Sequence, residues 1–373
     1  MRIGVPKEIK VEEYRVGLVP ESVARLVALG HRVIVQAGAG EGIGATDEDY
    51  RRGGAGRAPP PGEVWGEAEL VVKVKEPLAP ERVQLRSGQA LFTYLHLAPD
   101  PEQTRELVAS GAIAIAYETV AGPDGTLPLL APMSEVAGRM SAHVAAHWLE
   151  KPRGGRGVLL SGASGVAPAE VLVLGAGVVG SNAARVASAM GAHVTVLSRS
   201  AGPLQRLEKE LGEKLRTGIA TPQAIAAALA EADAVIGAAL QPGALAPKLV
   251  TRAMLGAMRK GAVLVDVSID QGGCFETSHP TTHADPVYVV DGVLHYCVAN
   301  MPGAVPRTSA YALNRATLPF VEALAQKGVV AALLSDPGLR AGLNVFCGRI
   351  TRREVAEAQG LSWVSAEEAL RAP

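Results

Sequence analysis

The feature that most constrains this chain is the run Val171-Leu-Val-Leu-Gly175-Ala-Gly177-Val-Val-Gly180. An apolar stretch, 171–174, leads directly into three glycines spaced GxGxxG. A helical pattern follows at 181–190, then Gly191 and a second apolar stretch, 193–197. In a chain with 42 glycines that spacing alone means little, but the strand–turn–helix–strand context is what a dinucleotide-binding βαβ unit requires. In such a unit Gly175 permits the tight turn, Gly177 lets the backbone approach a pyrophosphate, and Gly180 lets the helix pack close to the sheet. The unpaired N–H groups of the first helical turn then face the phosphates, and the helix dipole favours their charge. An acidic residue that hydrogen-bonds the adenosine ribose belongs at the end of the second strand. Here that end reads Val196-Leu197-Ser198-Arg199, neutral and then basic.

The rest of the chain repeats the alternation. Arg2–Val5, Arg32–Val35, 70–74, 90–94 and 113–117 read as strands, with helices at 21–29 and Pro101–Ser110 stopped by Gly30 and Gly111. A Gly/Pro-rich loop occupies 53–62, a helix 133–148 and a Gly/Ser-rich loop 151–168. Further strands are expected at Ala234–Gly237, 263–267 and 296–299, then a helix at 309–327 and more helical pattern in the tail. This order predicts an α/β layer fold with a largely parallel sheet, and 373 residues suggest two domains.

Composition removes several classes. The 36 basic and 37 acidic side chains leave a net charge of -1, against the surplus that a nucleic-acid clamp or polybasic membrane binder needs. Hydrophobic residues at 48% supply packed cores rather than disorder. No uncharged apolar run reaches the roughly 18 residues that span a bilayer, and no secretory signal opens the chain, so the expected setting is the cytoplasm. Cys274, Cys297 and Cys347 form no CxxC pair, which argues against both a disulfide framework and a structural zinc site. His143 with His147, and His279 with His283, have i,i+4 spacing but no third ligand, so no metal is expected.

Four polar residues carry candidate chemistry. Lys75 and His96 follow the strands at 70–74 and 90–94, Arg15 lies in the segment after the first strand, and Asp270 follows the strand at 263–267. All four are thereby placed near carboxyl ends of strands, the edge beyond which open α/β sheets bind ligands. Arginine offers a planar fork for a carboxylate, and lysine a point charge that polarises a carbonyl oxygen or holds a carboxylate. Histidine moves protons near neutral pH, and aspartate accepts from an ammonium, a water or the histidine. Each has a plainer reading: Arg15 as a solvated charge, Lys75 as a loop ion pair with Glu76, His96 as a satisfied core histidine, Asp270 as a cap.

The chain resembles, over nearly its whole length, the alanine dehydrogenases of the alanine dehydrogenase/pyridine nucleotide transhydrogenase superfamily. The residues that carry the resemblance begin with Gly4-Val-Pro-Lys-Glu8, Arg15-Val-Gly-Leu-Val-Pro20, Lys73-Val-Lys75-Glu-Pro77 and Phe92-Thr-Tyr-Leu-His96. They continue with Leu130-Ala-Pro-Met-Ser-Glu-Val-Ala-Gly138, Asp266-Val-Ser-Ile-Asp270-Gln-Gly-Gly273 and His295-Tyr-Cys-Val-Ala-Asn300-Met-Pro-Gly303. The resemblance implies two Rossmann-like, doubly wound α/β domains, each with a mostly parallel sheet. A substrate domain would comprise 1–130 and 305–373, its C-terminal helices returning to the first domain, and a dinucleotide domain 131–304. It implies NAD-dependent oxidative deamination of L-alanine to pyruvate and ammonia, with the reverse reductive amination, in a homohexamer. Arg15 and Lys75 would bind substrate, His96 would be the acid/base, and Asp270 would complete the catalytic site. Ser134, Gly175, Gly177, Val178, Gly180, Ser198, Leu240, Val267, Ser268, Ile269, Asp270, Val298, Ala299, Asn300 and Met301 would line the cofactor. Departures fall at the adenine end, where Ser198, Pro203 and Ala220 replace the family's usual Asp, Lys and Ser or Thr.

Two other classes compete: a nucleotide-binding subunit of a proton-translocating transhydrogenase, and a regulatory protein with a dead site. Assay of the purified chain with alanine separates the first from an enzyme. The joint presence of Arg15, Lys75, His96 and Asp270 weighs against the second.

Overall fold

The computed structural model describes every residue except 57, 58, 61, 213, 214, 240–245, 372 and 373. The chain divides into two compact units, Met1–Met133 with Gly303–Pro373, and Ser134–Pro302, the division falling inside the helix Ala131–Trp148.

In the first unit, β1 (Arg2–Val5), β2 (Arg32–Val35), β3 (Leu70–Val72), β4 (Ala90–Thr93) and β5 (Ile113–Ala116) run parallel in the order β2-β1-β3-β4-β5. Every residue of β3, β4 and β5 is buried, which is why these stretches read as continuous apolar runs and not as alternation. The order reverses between β1 and β3, so the ligand crevice of this sheet is expected beyond the carboxyl ends there.

In the second unit, β6 (Glu170–Leu174), β7 (His193–Ser198), β8 (Leu215–Ile219), β9 (Ala234–Gly237), β10 (Val263–Asp266), β11 (Val287–Val290) and β12 (Val293–Tyr296) form one sheet ordered β11-β12-β10-β9-β6-β7-β8. Alternate residues supply its two faces. Val171, Val173, Val263 and Val265 join one core, and Leu172, Leu174 and Leu264 the other. All pairings are parallel except β11 with β12. The strand expected at 296–299 therefore starts earlier and belongs to a hairpin. Its turn residues Asp291 and Gly292 both have positive φ, 50° and 80°, a conformation that Asp-Gly favours in two-residue hairpins.

The tail contributes more than helix. The helix Pro306–Lys327 is followed by a second hairpin, β13 (Leu343–Phe346) and β14 (Arg349–Ile350), with β13 antiparallel to β5 on the edge of the first sheet. Cys347 and Gly348 make its turn, again at positive φ. The helix Pro306–Lys327 buries Leu313, Val321 and Leu324 and presents Asn314, 2% exposed, to the segment after β1. Asn314 Oδ1 accepts from Val19 N at 2.9 Å, and its Nδ2 donates to Gly17 O at 2.9 Å. Asn314→Ala is expected to lower the unfolding free energy by about 2–4 kcal/mol, because each orphaned buried group costs roughly 1–3 kcal/mol. Denaturant unfolding checks this; an unchanged midpoint would show that the two backbone groups find other partners.

Among the described residues no single helix is long and apolar enough to cross a membrane. None of their His, Cys, Asp and Glu side chains gather in a group of three or more that could hold a metal ion.

Candidate functional site

Arg15, Lys75 and His96 all sit on segments beyond the carboxyl ends of the first sheet, after β1, β3 and β4. Arg15 is only 2% exposed, so the solvated-charge reading does not hold. Its Nε donates to Glu13 Oε1 at 2.6 Å, its Nη2 pairs with Glu13 Oε2, and its Nη1 points at Met133 Sδ at 3.1 Å. Burial by itself would lower the Arg15 pKa, but the Glu13 carboxylate outweighs this and raises it. Glu13 thus takes the Nε and Nη2 donors of the guanidinium as a bidentate pair.

Two lysines lie two residues apart and differ completely in surroundings. Lys73 Nζ is 2.5 Å from Glu81 Oε1 and 3.2 Å from Glu8 Oε2, all three side chains being buried. Lys75 is buried too, yet its Nζ makes no hydrogen bond and lies within 4.0 Å of no carboxylate among the described residues. The expected partner, Glu76, pairs instead with Lys10. Burial would push the Glu76 carboxyl up, but the Lys75 and Lys10 charges hold it below the usual range. The backbone of Lys75 is fixed on both sides: its N–H donates to Glu8 Oε1 at 3.3 Å, and its carbonyl accepts from Thr93 Oγ1 at 2.8 Å. A buried ammonium without a hydrogen-bond acceptor is costly, and a ligand carboxylate or carbonyl oxygen would relieve it.

His96 is half-buried and has a left-handed backbone, φ 50°. Neither ring nitrogen hydrogen-bonds a described residue, so it is not a satisfied core histidine. Its ring stacks on Tyr94 with centroids 5.9 Å apart and planes 10° from parallel. Tyr94 is buried, donates from its hydroxyl to Leu129 O at 2.6 Å, and meets Tyr117 edge-on. Burial pushes the Tyr94 phenol up despite the nearby Arg15 charge. Tyr94 thus stands beside both Arg15 and His96. Sequence reasoning had no reason to single out Glu13, Met133, Tyr94 or Glu118. The one signal available was that a buried arginine demands an acidic partner.

In the second unit the parallel register brings the cofactor candidates to one sheet edge. Leu174 lies opposite Leu197 and Gly237, Asp266 opposite Gly237, and Val265 opposite Tyr296. The segments leaving that edge are 175–180, 198–199, 267–270 and 298–301. Gly175 has φ 114°, and a Cβ there would strike Ala238 O; a Cβ at Gly180 would strike Gly175 O. Gly177 caps the helix Val178–Ala189 and has nothing within 4 Å of where its Cβ would be. The turn is therefore closed against side chains at its two ends and open at Gly177 and the exposed Val178, which fits a pyrophosphate backed by the helix N-terminus. Ser134 lies one turn before Gly138, the residue of its helix packed against Val179 and Asn182 at the start of Val178–Ala189.

Ser198 ends β7 and is half-buried, its Oγ accepting from Ser200 N at 3.4 Å. Arg199 is exposed and makes no ion pair or hydrogen bond with a described residue. Val267 N donates to Gly237 O, and Ser268 Oγ donates to Ala239 O at 2.7 Å. Asp270 is exposed on the short 3-10 turn Ile269–Gln271, whose N-cap is Ser268, and its carboxylate accepts no hydrogen bond from a described residue. It therefore does not cap that turn. The buried Asp266 organises the segment instead, accepting from Ser268 N, Cys274 N, Phe275 N and Ser278 Oγ. Beyond β12, Val298 and Met301 are buried, and Ala299 and Asn300 are half-buried. Asn300 O accepts from or faces His283 Nε2 at 2.9 Å. Leu240 lies outside the described residues. Of the histidine pairs, His143 and His147 lie exposed on a helix, while His279 stacks on Tyr288 at 3.7 Å.

A glycine turn at the switch point of one doubly wound sheet, and the buried cations Arg15 and Lys75 at the switch point of the other, define a dinucleotide-binding α/β protein with a second ligand edge for a small anion. The chain belongs to the alanine dehydrogenase/PNT family: the N-terminal domain of that family matches residues 4–137, and its C-terminal domain residues 141–353. The chain is 58% identical over 366 residues to the alanine dehydrogenase of Halomonas elongata, covering 98% of this chain and 99% of that one. A solved L-alanine dehydrogenase superposes with a TM-score of 0.93 at 49% identity, covering 96% of this chain and 99% of the other. A transhydrogenase from Sinorhizobium meliloti superposes at 0.81 and 26% identity, over 94% of this chain and 100% of that one.

Proposed function

We propose that this chain is an NAD-dependent alanine dehydrogenase in which the first unit holds the substrate and the second the cofactor. The reaction is the oxidative deamination of L-alanine to pyruvate and ammonia, and its reverse. The observation that carries the residue assignment is the buried Lys75 ammonium, which makes no hydrogen bond or close ion pair among the described residues, on the same sheet edge as Arg15 and His96. A nicotinamide dinucleotide held at the glycine turn 175–180 of the second unit would supply the redox half of the chemistry, hydride exchange with Cα of the substrate.

The chain's own residues supply the rest. Arg15, oriented by Glu13, binds the substrate carboxylate through its guanidinium. Lys75 polarises the oxygen that becomes the pyruvate carbonyl. His96 takes the proton of the water that adds to the oxidised substrate, and returns it in the reverse direction. Asp270 balances the cationic charge of the reacting centre, and Ser134, 175–180, Ser198, Leu240, 267–270 and 298–301 line the cofactor. The cytoplasmic homohexamer expected from the resemblance belongs to the same reading. The transhydrogenase-subunit alternative has less support, since the likeness to that fold runs at 26% identity against 49% for the alanine dehydrogenase.

The cofactor assignment is tested at Ser198. An acidic residue there would accept from the ribose hydroxyls and repel a 2′-phosphate; Ser198 does not repel it, and the unpaired Arg199 is available to it. NADH is expected to be preferred, with NADPH supporting turnover within roughly two orders of magnitude, a gap of about 2.7 kcal/mol or less. Ser198→Asp is expected to suppress NADPH selectively. The measurement is kcat/KM for both cofactors in both proteins with pyruvate and ammonium. No NADPH activity in the wild type, with an unmoved ratio in the variant, would discard the idea; no turnover with either cofactor would discard the enzyme reading itself.

A further inference from the structure

We propose that Glu118 is the positioning residue of His96, holding the loop that carries the imidazole through a backbone anion nest. The proposal rests on the reading that His96 transfers the proton. Glu118 follows β5 in the 3-10 turn Tyr117–Thr119, and His96 follows the neighbouring parallel strand β4, with Thr93 registered against Ala116. The carboxylate therefore reaches across from one strand end to the next. Its Oε1 accepts from His96 N at 2.7 Å, and both oxygens accept from Leu95 N, at 3.2 and 3.3 Å. Two consecutive N–H groups converging on one anion beside a left-handed residue form a nest, and hydrogen bonds to a full carboxylate are the strong kind.

The loop needs such a clamp. A left-handed backbone is disfavoured for any residue with a Cβ, and His96 adopts it at φ 50°. The carbonyls of the residues on either side are tied by other side chains. Leu95 O accepts from the fully buried Gln103 Nε2 at 2.6 Å, and Leu97 O from Gln359 Nε2 at 2.7 Å. Among the described residues only Glu118 binds the N–H of His96 itself, and with Gln103 on the carbonyl of the same peptide it fixes the plane from which the imidazole leaves the backbone. Tyr94 then fixes the ring plane by stacking.

The test is a double-mutant cycle. Glu118→Ala is expected to lower kcat at least about tenfold in both directions, while the pyruvate KM and the NADH Kd stay within about threefold of wild type. Glu118→Gln keeps an oxygen acceptor for the same N–H groups and is expected to recover most of the lost rate. In a His96→Ala background, Glu118→Ala is expected to change the residual rate less than about twofold, because there is no imidazole left to aim. A merely structural carboxylate would lower the rate by the same factor in both backgrounds, and that result overturns the proposal. So does a wild-type kcat in Glu118→Ala. Should the alanine variant not fold, Glu118→Asp, one methylene shorter, is carried through the same cycle with the same expectations. If His96→Ala alone retains full turnover, it is the proton-transfer reading that fails; a crippled His96→Ala beside a fully active Glu118→Ala removes the positioning role only.

Discussion

His96→Ala is expected to lower turnover by roughly 10²–10⁴-fold in both directions while NADH binding stays nearly intact. The expectation rests on placement: the ring is half-exposed, stacked on Tyr94, and hydrogen-bonded to no described residue, so both nitrogens remain available. His96→Gln, which cannot cycle a proton, should fall in the same range. The fold should survive, because the loop is anchored through backbone groups by Glu118, Gln103 and Gln359 and not through the imidazole. Backbone strain gives a second reading. At φ 50° a Cβ costs roughly 1–2 kcal/mol that glycine avoids, so His96→Gly should be at least as stable as His96→Ala while equally inactive. Steady-state rates, cofactor binding and thermal unfolding of the three variants decide the matter. Wild-type activity in any of them, or a loss that tracks unfolding, would end the assignment.

Asp270→Asn is expected to reduce kcat/KM by at least about 10²-fold, or roughly 2.7 kcal/mol. The substitution keeps the shape and removes one negative charge. The turn Ile269–Gln271 should not notice, since Ser268 and the buried Asp266 hold that segment and the Asp270 carboxylate bonds to none of the described residues. The carboxylate is exposed and spared from structural duty, so a rate loss in this variant would report its charge and not the fold. An unchanged fold by circular dichroism with a collapsed rate is the expected pair of observations. Near-normal turnover in the asparagine variant would make Asp270 a surface residue of the turn.

The glycine turn and the parallel sheets were legible because they rest on local rules. A buried parallel strand must be apolar on both faces, as 171–174 is, and the GxGxxG spacing works only at a strand-to-helix turn. The two edge hairpins were less visible. β11 with β12, and β13 with β14, are short, and the turns Asp291-Gly292 and Cys347-Gly348 lie in stretches whose composition also suits loops or helix. Asp-Gly was a usable signal there; Cys-Gly was not.

What the sequence determined by itself is the set of chemical parts and the strand after which each falls, because periodicity and turn residues act within a few positions along the chain. What only the tertiary structure decided is how those parts are partnered. Lys73 and Lys75 are two residues apart in one apolar run, and no local rule separates them. Glu8 and Glu81, arriving from different elements, claim Lys73 and leave Lys75 with no carboxylate within 4.0 Å among the described residues. Glu13 takes one edge of Arg15, and Glu118 arrives from the next strand to hold His96 in a backbone conformation it would not otherwise favour. Burial makes each such pairing matter, since a charge removed from water must find a partner or wait for a ligand, and which partner is within reach depends on the packing of segments far apart in the chain.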